Sequence, residues 1–153
     1  MNQLITKQEL NISLEEAWEF FSNPANLNEI TPEHMHFKIT SDISSGFYPG
    51  MIITYKIKPF LGITMNWVTE ISQVKDKQYF IDNQLSGPYK YWHHQHHFRI
   101  TENGIEMTDI LHYETPFGII GKLAEWLFVN RQVHQIFAYR RKKLDELFIT
   151  DKK

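Results

Sequence analysis

Hydrophobic and polar residues alternate along most of the chain between residues 4 and 113, with the period of two that is typical of half-buried β-strands. Turn residues separate the alternating runs, and the Asn103-Gly104 pair is typical of a tight hairpin. Because short turns join the last six runs, we expect them to form an antiparallel meander. The predicted strands cover residues 4–12, 36–43, 51–57, 63–74, 78–85, 89–100 and 105–113.

Three other stretches have a helical pattern. Ser13 precedes Glu16 with the spacing of a capping box, and the apolar face that follows predicts a helix that ends before Pro24. A second short helix is predicted over residues 25–30. Beyond Pro116, residues 118–148 form one long helical stretch, whose apolar face should lie across the concave side of the sheet. That face contains Leu123, Trp126, Leu127, Val133, Ile136, Phe137, Leu144 and Phe148.

The predicted order of elements is one strand, two helices, six strands and a long helix. This order indicates an α+β fold in which a curved antiparallel seven-stranded sheet wraps around the C-terminal helix. A sheet that grips a helix leaves a gap between them, and such gaps are natural ligand cavities. The length of 153 residues fits one domain, so we expect a single domain over residues 1–149 and a frayed tail at 150–153.

Composition excludes several classes of function. The net charge of -2 gives no electrostatic footprint for nucleic acid, and the absence of Cys excludes disulfides and thiolate chemistry. No apolar run approaches the roughly 20 residues that a transmembrane helix needs. The N-terminus has no basic segment followed by an apolar run, so we expect no signal peptide and a cytoplasmic protein.

The segment 92–98 contains four of the eight His residues. Period two places Trp92, His94, His96 and Phe98 on one face of a strand. A face that mixes large aromatic side chains with titratable rings is typical of the wall of a ligand cavity. The opposite face, which we expect to be solvated, holds His93, Gln95, His97 and Arg99.

Two aspartates are predicted to share the inner face with these imidazoles. Asp82 lies on the strand before the segment 92–98, and Asp109 lies on the strand after it. Period two places each aspartate on the same face of its strand as apolar residues. A buried carboxylate needs a partner, because breaking a buried ion pair typically costs about 3–5 kcal/mol. We therefore expect an Asp–His–His–Asp row across three adjacent strands, formed by Asp82, His94, His96 and Asp109.

Three interpretations of this row remain open. It is a structural network that fixes the core, a polar anchor for the head group of an apolar ligand, or a site of chemistry or metal binding. His-x-His on a strand presents two imidazoles on one side, and a carboxylate could be a third metal ligand. Because the sequence does not define that third ligand, we assign no metal ligands and expect no cofactor.

Several short patterns along the chain together match a known family. They are Pro32, Met35 and Phe37; Trp67 and Ile71; Phe80, Asp82, Gln84, Gly87 and Pro88; Trp92, His94, His96 and Phe98; Thr108, Asp109, Tyr113 and Pro116; Gly118 and Gly121; and Ile136, Phe137, Tyr139 and Arg140. With these residues the chain resembles the START-like superfamily, also called SRPBCC or Bet v 1-like, and within it the bacterial ligand-binding SRPBCC domain proteins. The resemblance covers nearly the whole chain and implies the helix-grip fold. Members of the superfamily bind lipids, sterols, hormones and polyketides, and some cyclise or hydrolyse them.

These observations predict a non-catalytic protein that binds a small hydrophobic or amphipathic ligand, such as a lipid, a polyketide or an aromatic compound. The alternative is a cofactor-independent enzyme, similar to a polyketide cyclase, dehydratase or hydrolase, in which His94 or His96 acts as acid–base group and Asp82 or Asp109 orients it. A third class, a protein-interaction module, predicts an exposed apolar patch. The candidate ligand-binding residues are Tyr55, Trp67, Phe80, Asp82, Gln84, Trp92, His94, His96, Asp109, Tyr113, Asn130 and His134.

The long helix carries polar residues whose roles differ. Asn130 and His134 interrupt its apolar face, where they either touch the cavity or lie at its edge. The run of basic residues at 140–143 is expected to be solvated near the helix C-terminus, where the helix dipole favours cations.

Overall fold

The computed structural model describes residues 1–60, 62–115 and 122–148, with the side chains of all of these except Phe60 and residues 122–127. In this part of the chain the α-helices are α1 (Leu14–Phe21) and α2 (Lys122–Leu147). The strands are β1 (Asn2–Leu10), β2 (Lys38–Ile39), β3 (Met51–Phe60), β4 (Ile63–Lys75), β5 (Tyr79–Ser86), β6 (Tyr91–Thr101) and β7 (Gly104–Glu114).

The strands form one antiparallel sheet in the order β1-β7-β6-β5-β4-β3-β2. The predicted α+β architecture, with a seven-stranded antiparallel sheet and a long C-terminal helix, is therefore confirmed. Alternating burial along β7 reflects its period-two sequence, which sends every second side chain into the core. None of the described helices is both long and apolar enough to cross a membrane.

Irregular pairing between β4 and β5 bends the sheet. Their register shifts between Val68 and Thr69, and again between Ile71 and Gln73. Each shift places an extra residue on one strand, and such bulges bend a strand and increase its twist.

The helix α2 packs one face on the sheet. Val129, Val133, Phe137 and Leu144 are buried at helical spacing, and Arg140 is buried on the same face. Some predicted features lie outside the described residues, namely Pro116, the first helical residues 118–121 and the tail at 150–153. The same holds for the side chains of three residues predicted on the apolar face, Leu123, Trp126 and Leu127.

The start of α1 confirms the predicted capping box. Ser13 Oγ accepts a hydrogen bond from the Glu16 backbone N–H at 3.2 Å, and the Glu16 carboxylate accepts one from the Ser13 N–H at 2.8 Å. These bonds satisfy two backbone donors that would otherwise lack partners at the helix start. The helix ends at Phe21, before Pro24, as the sequence predicts.

Two elements between α1 and β3 differ from the prediction. The second helix is a 3₁₀ helix, Pro24–Asn28, because the Asn23 side chain caps it at Ala25 N–H and the segment has room for little more than one turn. A further 3₁₀ helix covers Glu33–Met35. The strand predicted over 36–43 shortens to Lys38–Ile39. His36 adopts a left-handed backbone with φ of 46° before it, and after it the N–H groups of Thr40 and Ser41 both donate to the Thr54 carbonyl, which interrupts regular pairing.

Candidate functional site

A cavity of about 160 Å³ lies between the strands β3 to β6, the segment from α1 to β2, and the C-terminal half of α2. Its size is comparable with an engineered cavity of roughly 150 Å³ in another protein that binds benzene or xenon. The strands contribute most of the apolar wall, through residues that include Ile53, Tyr55, Ile57, Trp67, Ile71, Phe80 and Trp92. The other sides include Phe21, Leu27, Met35 and Phe137.

Aromatic rings in mutual contact form the wall on β3, β4 and β6. The Trp67 ring lies 5.5 Å from Tyr55 and 5.2 Å from Trp92, the latter at an interplanar angle of 89°. Edge-to-face contacts of this kind hold rings in defined orientations. Tyr55 is fixed further by a 3.0 Å hydrogen bond between its hydroxyl and that of Thr69. Trp67 Nε1 is buried and finds no hydrogen-bond acceptor among the described residues.

The polar end of the cavity is built on β5 and β6. Asp82, His94 and His96 all line the cavity, and Asp82 faces His94 directly across the β5–β6 pair. Asp109 pairs with His96 across β6–β7 and lies behind the cavity wall. The sheet thus brings together the four residues of the predicted row.

Hydrogen bonds connect the row diagonally as well as across the strands. His94 Nε2–H donates to Asp109 Oδ1 at 2.9 Å, and His96 Nε2–H donates to Asp82 Oδ2 at 2.7 Å. His96 Nδ1 also lies 3.1 Å from Asp109 Oδ1, whereas His94 Nδ1 lies 3.6 Å from Asp82 Oδ2. The imidazole centroids are 3.8 Å apart, so the rings pack against each other.

Arg140 completes this cluster, and its burial corrects the sequence-based expectation of a solvated basic run. Its guanidinium Nη2 lies 3.4 Å from both Asp109 Oδ1 and His96 Nδ1, and only 8% of the residue is exposed. Arg141 and Lys142 are exposed, as expected. Arg140 follows the buried Val133 by about two helical turns and therefore lies on the same face of α2. This spacing could have predicted from the sequence that Arg140 is buried.

The environment shifts the pKa values of the carboxyl groups. Burial acts to raise the pKa of Asp109, but the Arg140 charge and the hydrogen bonds from His94 and His96 outweigh it and hold that pKa well below its usual value. Burial likewise acts to raise the pKa of Asp82, and the His96 hydrogen bond and nearby positive charges bring it below the usual value. Both groups are therefore carboxylates near neutral pH.

The imidazoles shift in opposite directions. Burial, supported by the neighbouring His96, lowers the pKa of His94 despite its bond to Asp109. Burial also acts to lower the pKa of His96, but hydrogen bonds to both carboxylates reverse the effect and raise it. The arrangement therefore favours a neutral His94 beside a His96 that holds its proton more tightly.

Seven of the twelve candidate ligand-binding residues line the cavity, and the other five do not. Gln84 instead bonds the backbone of Tyr89, with Nε2 donating to its carbonyl at 2.6 Å, and this braces the turn between β5 and β6. Tyr113 donates its hydroxyl hydrogen to Asn130 Oδ1 at 2.6 Å, which ties β7 to α2. The other two are Asp109, behind the wall, and His134, which is exposed at a separate outer pocket.

Comparison with known proteins supports the fold. Neither a family model nor a curated protein sequence matches the chain. Protein CV1439 from Chromobacterium violaceum is similar in structure, with a TM-score of 0.75 and 11% identity over 99% of this chain and 100% of that one. The ginseng major latex-like protein 151 from Panax ginseng is similar with a TM-score of 0.69 and 13% identity over 97% and 98%.

A third solved structure, protein Ms6760 from Mycobacterium smegmatis, is similar with a TM-score of 0.67 and 17% identity over 95% of this chain and 89% of that one. Likeness at such identities is evidence of a shared fold and of nothing more specific. The chain has the helix-grip fold of START-like, or Bet v 1-like, proteins, as the sequence resemblance implies.

Proposed function

We propose that this protein binds a small hydrophobic or amphipathic ligand in the cavity between its sheet and α2. The observation that carries the proposal is an apolar cavity with one charged end. Ligand sites in proteins commonly combine predominantly apolar walls with a few placed polar groups. The helix-grip fold, which is typical of ligand-binding proteins, also supports the proposal.

The cavity limits the chemistry of the ligand. Its volume suits a molecule with about one aromatic ring or a short aliphatic body. Tyr55, Trp67 and Trp92 supply apolar contact area, which contributes roughly 25 cal/mol per Å² removed from water. Asp82 and the two imidazoles lie at one end and would orient a hydroxyl or carbonyl group.

Isothermal titration calorimetry with p-cresol tests this proposal, because the probe has one ring, an apolar end and a hydroxyl end. We expect saturable binding of one molecule per chain with a Kd of about 1 mM or tighter, which corresponds to about 4 kcal/mol. Ile53 lines the cavity, so the larger side chain in Ile53→Trp would occupy space that the ligand needs. This variant should weaken binding at least about tenfold, which corresponds to about 1.4 kcal/mol.

Ile52→Trp is the matched control, because Ile52 is the next residue of β3 and is exposed on the opposite face. It should leave the affinity for p-cresol unchanged. Both variants are checked for native circular dichroism before titration. Absence of saturable binding to the unmodified protein, or equal affinity of the two variants, would contradict the proposal.

A further inference from the structure

We propose that Asp82, His94 and His96 form a binding site for a divalent transition metal ion, with Zn²⁺ as the best-matched common ion. The inference goes beyond ligand binding in the cavity and does not depend on it. The sequence presents His-x-His without a defined third ligand, and the fold supplies that ligand on the neighbouring strand.

The three ligand atoms converge on one point. Each residue offers one atom, and these atoms all lie within 4.8 Å of one another. His96 Nε2 is 2.7 Å and His94 Nδ1 is 3.6 Å from Asp82 Oδ2. A tetrahedral ion with bonds of about 2.0–2.2 Å separates its ligand atoms by roughly 3.3 Å. To admit the ion, the His96–Asp82 pair would open by about 0.6 Å and the His94–Asp82 pair would close by about 0.3 Å.

Asp109 prepares both imidazoles for a metal. His94 Nε2 and His96 Nδ1 lie 2.9 Å and 3.1 Å from the same oxygen, Asp109 Oδ1. Metal-bound His residues typically donate their other ring N–H to a carboxylate, which fixes the tautomer and the ring orientation. This arrangement leaves His94 Nδ1 and His96 Nε2 as the nitrogen atoms on the side of Asp82. Metal binding would displace the proton that His96 Nε2 donates to Asp82, and this proton would be released to solvent.

Asp109 is itself held in place from behind the wall. Arg140 Nη2 lies 3.4 Å and Thr6 Oγ1 3.5 Å from its carboxylate. A carboxylate with these partners cannot easily turn towards the cavity and act as a metal ligand. The structure therefore separates the carboxylate that would bind the ion, Asp82, from the carboxylate that orients the imidazoles.

The charge balance of the cluster favours an added cation. When both imidazoles are neutral, as metal ligands must be, Asp82 and Asp109 contribute two negative charges and Arg140 one positive charge. This leaves a net negative charge in a mostly buried place. A divalent ion would change the net charge to positive, so its open position would favour water, hydroxide or an anionic oxygen. Because the three ligands line the cavity, that position would face a ligand bound there.

The ligand set narrows the identity of the metal. Two imidazoles and one carboxylate suit Zn²⁺ and the other late first-row ions more than Mg²⁺ or Ca²⁺, which prefer all-oxygen sites. Among the residues that the structure describes, this is the one group of His and acidic residues that meets the distance requirement for an ion. Three protein ligands with an open fourth position are typical of a reactive rather than a structural zinc site.

Metal titration of the EDTA-treated protein tests the site. We expect one Zn²⁺ per chain by calorimetry, and a Co²⁺ complex whose visible absorption indicates nitrogen and oxygen ligands in a four- or five-coordinate geometry. Asp109→Asn should weaken Zn²⁺ binding by about 10–100-fold, the usual effect of losing a partner of a ligating His. Asp82→Asn should weaken it further, because it replaces a charged ligand.

The double variant His93→Gln/His97→Gln is the matched control, because it removes two imidazoles from the outer face of the same strand. It should bind Zn²⁺ as the unmodified protein does. Zn²⁺ binding that survives Asp82→Asn and disappears in the control would place the ion on the outer face and overturn the inference. Failure of the unmodified protein to bind one Zn²⁺ would also overturn it.

A measurement without variants keeps the test valid if Asp82→Asn does not fold. Long-range ¹H–¹⁵N spectra of the unmodified protein report which imidazole nitrogen atoms bind the metal. We expect Zn²⁺ to shift His94 Nδ1 and His96 Nε2, and shifts confined to other imidazoles would overturn the inference. When p-cresol is titrated into EDTA-treated protein, failure of the metal site leaves the proposed ligand binding separately testable.

Discussion

Arg140→Met removes the guanidinium beside Asp109 but keeps most of the apolar length of the side chain. The Nη2–Oδ1 distance of 3.4 Å corresponds to an attraction of about 5 kcal/mol at an effective dielectric constant of about 20. Breaking a buried pair typically costs about 3–5 kcal/mol, because the remaining charge stays buried. Since His94 and His96 still donate to Asp109, we expect a loss near the lower limit, about 3 kcal/mol.

Urea denaturation followed by Trp fluorescence measures this loss. For a chain of this size, about 3 kcal/mol also lowers Tm by roughly 6–12 °C. Arg141→Met is the control, because Arg141 is the next residue of the helix and is exposed. Its hydrogen bond to the Lys7 carbonyl is exposed as well, so we expect a loss below about 1 kcal/mol.

A double-mutant cycle shows whether the loss comes from the pair. Asp109→Asn/Arg140→Met should cost less than the sum of the two single variants, with a coupling energy of at least about 1 kcal/mol. The reasoning would be refuted if Arg140→Met cost no more than Arg141→Met. An additive cycle would show that Arg140 stabilises the fold through its packing rather than through Asp109.

The remaining predictions concern stability elsewhere in the fold. Tyr55→Phe removes the buried hydroxyl bond to Thr69 and should lower the free energy of unfolding by about 1–3 kcal/mol, measured in urea; no change would contradict the bond. Gly104→Ala should cost about 1–3 kcal/mol or more, because φ is 138° and an added Cβ would lie 2.2 Å from the Leu10 carbonyl oxygen. A native-like Tm for this variant would contradict that geometry. Ser13→Ala should cost about 1 kcal/mol through the lost helix cap, and a loss below about 0.3 kcal/mol would refute the role of the cap.

The face that each side chain takes followed from local patterns, whereas the pairing of the strands did not. Strict alternation in β6 and β7 determines which side chains point inward. The turn between these strands lies at Glu102-Asn103, and this register places His96 opposite Asp109. A two-residue turn at Asn103-Gly104 would have placed His96 opposite Leu111, so the Asn-Gly pair did not predict the register. The diagonal bond from His94 to Asp109 was not predictable either, because it depends on side-chain rotamers that periodicity does not encode.

The burial of Arg140 shows a different limit. Its helical position points to the sheet, whereas its charge and its place near a helix C-terminus favour solvent. The outcome depends on Asp109 on a distant strand, which lies within 3.4 Å only in the folded chain. Likewise, the 3₁₀ helix after α1 depends on a local side-chain cap at Asn23, which competes with the weak helical pattern of that segment.

The central claim is an open apolar cavity between the sheet and α2, and xenon tests it most directly. Xenon enters apolar cavities of this size without requiring any knowledge of the natural ligand. A crystal of the protein under xenon pressure should show an ordered xenon atom in contact with Ile53, Ile57 and Trp67. A structure in which side chains fill this space, with no xenon between sheet and helix, would contradict the account.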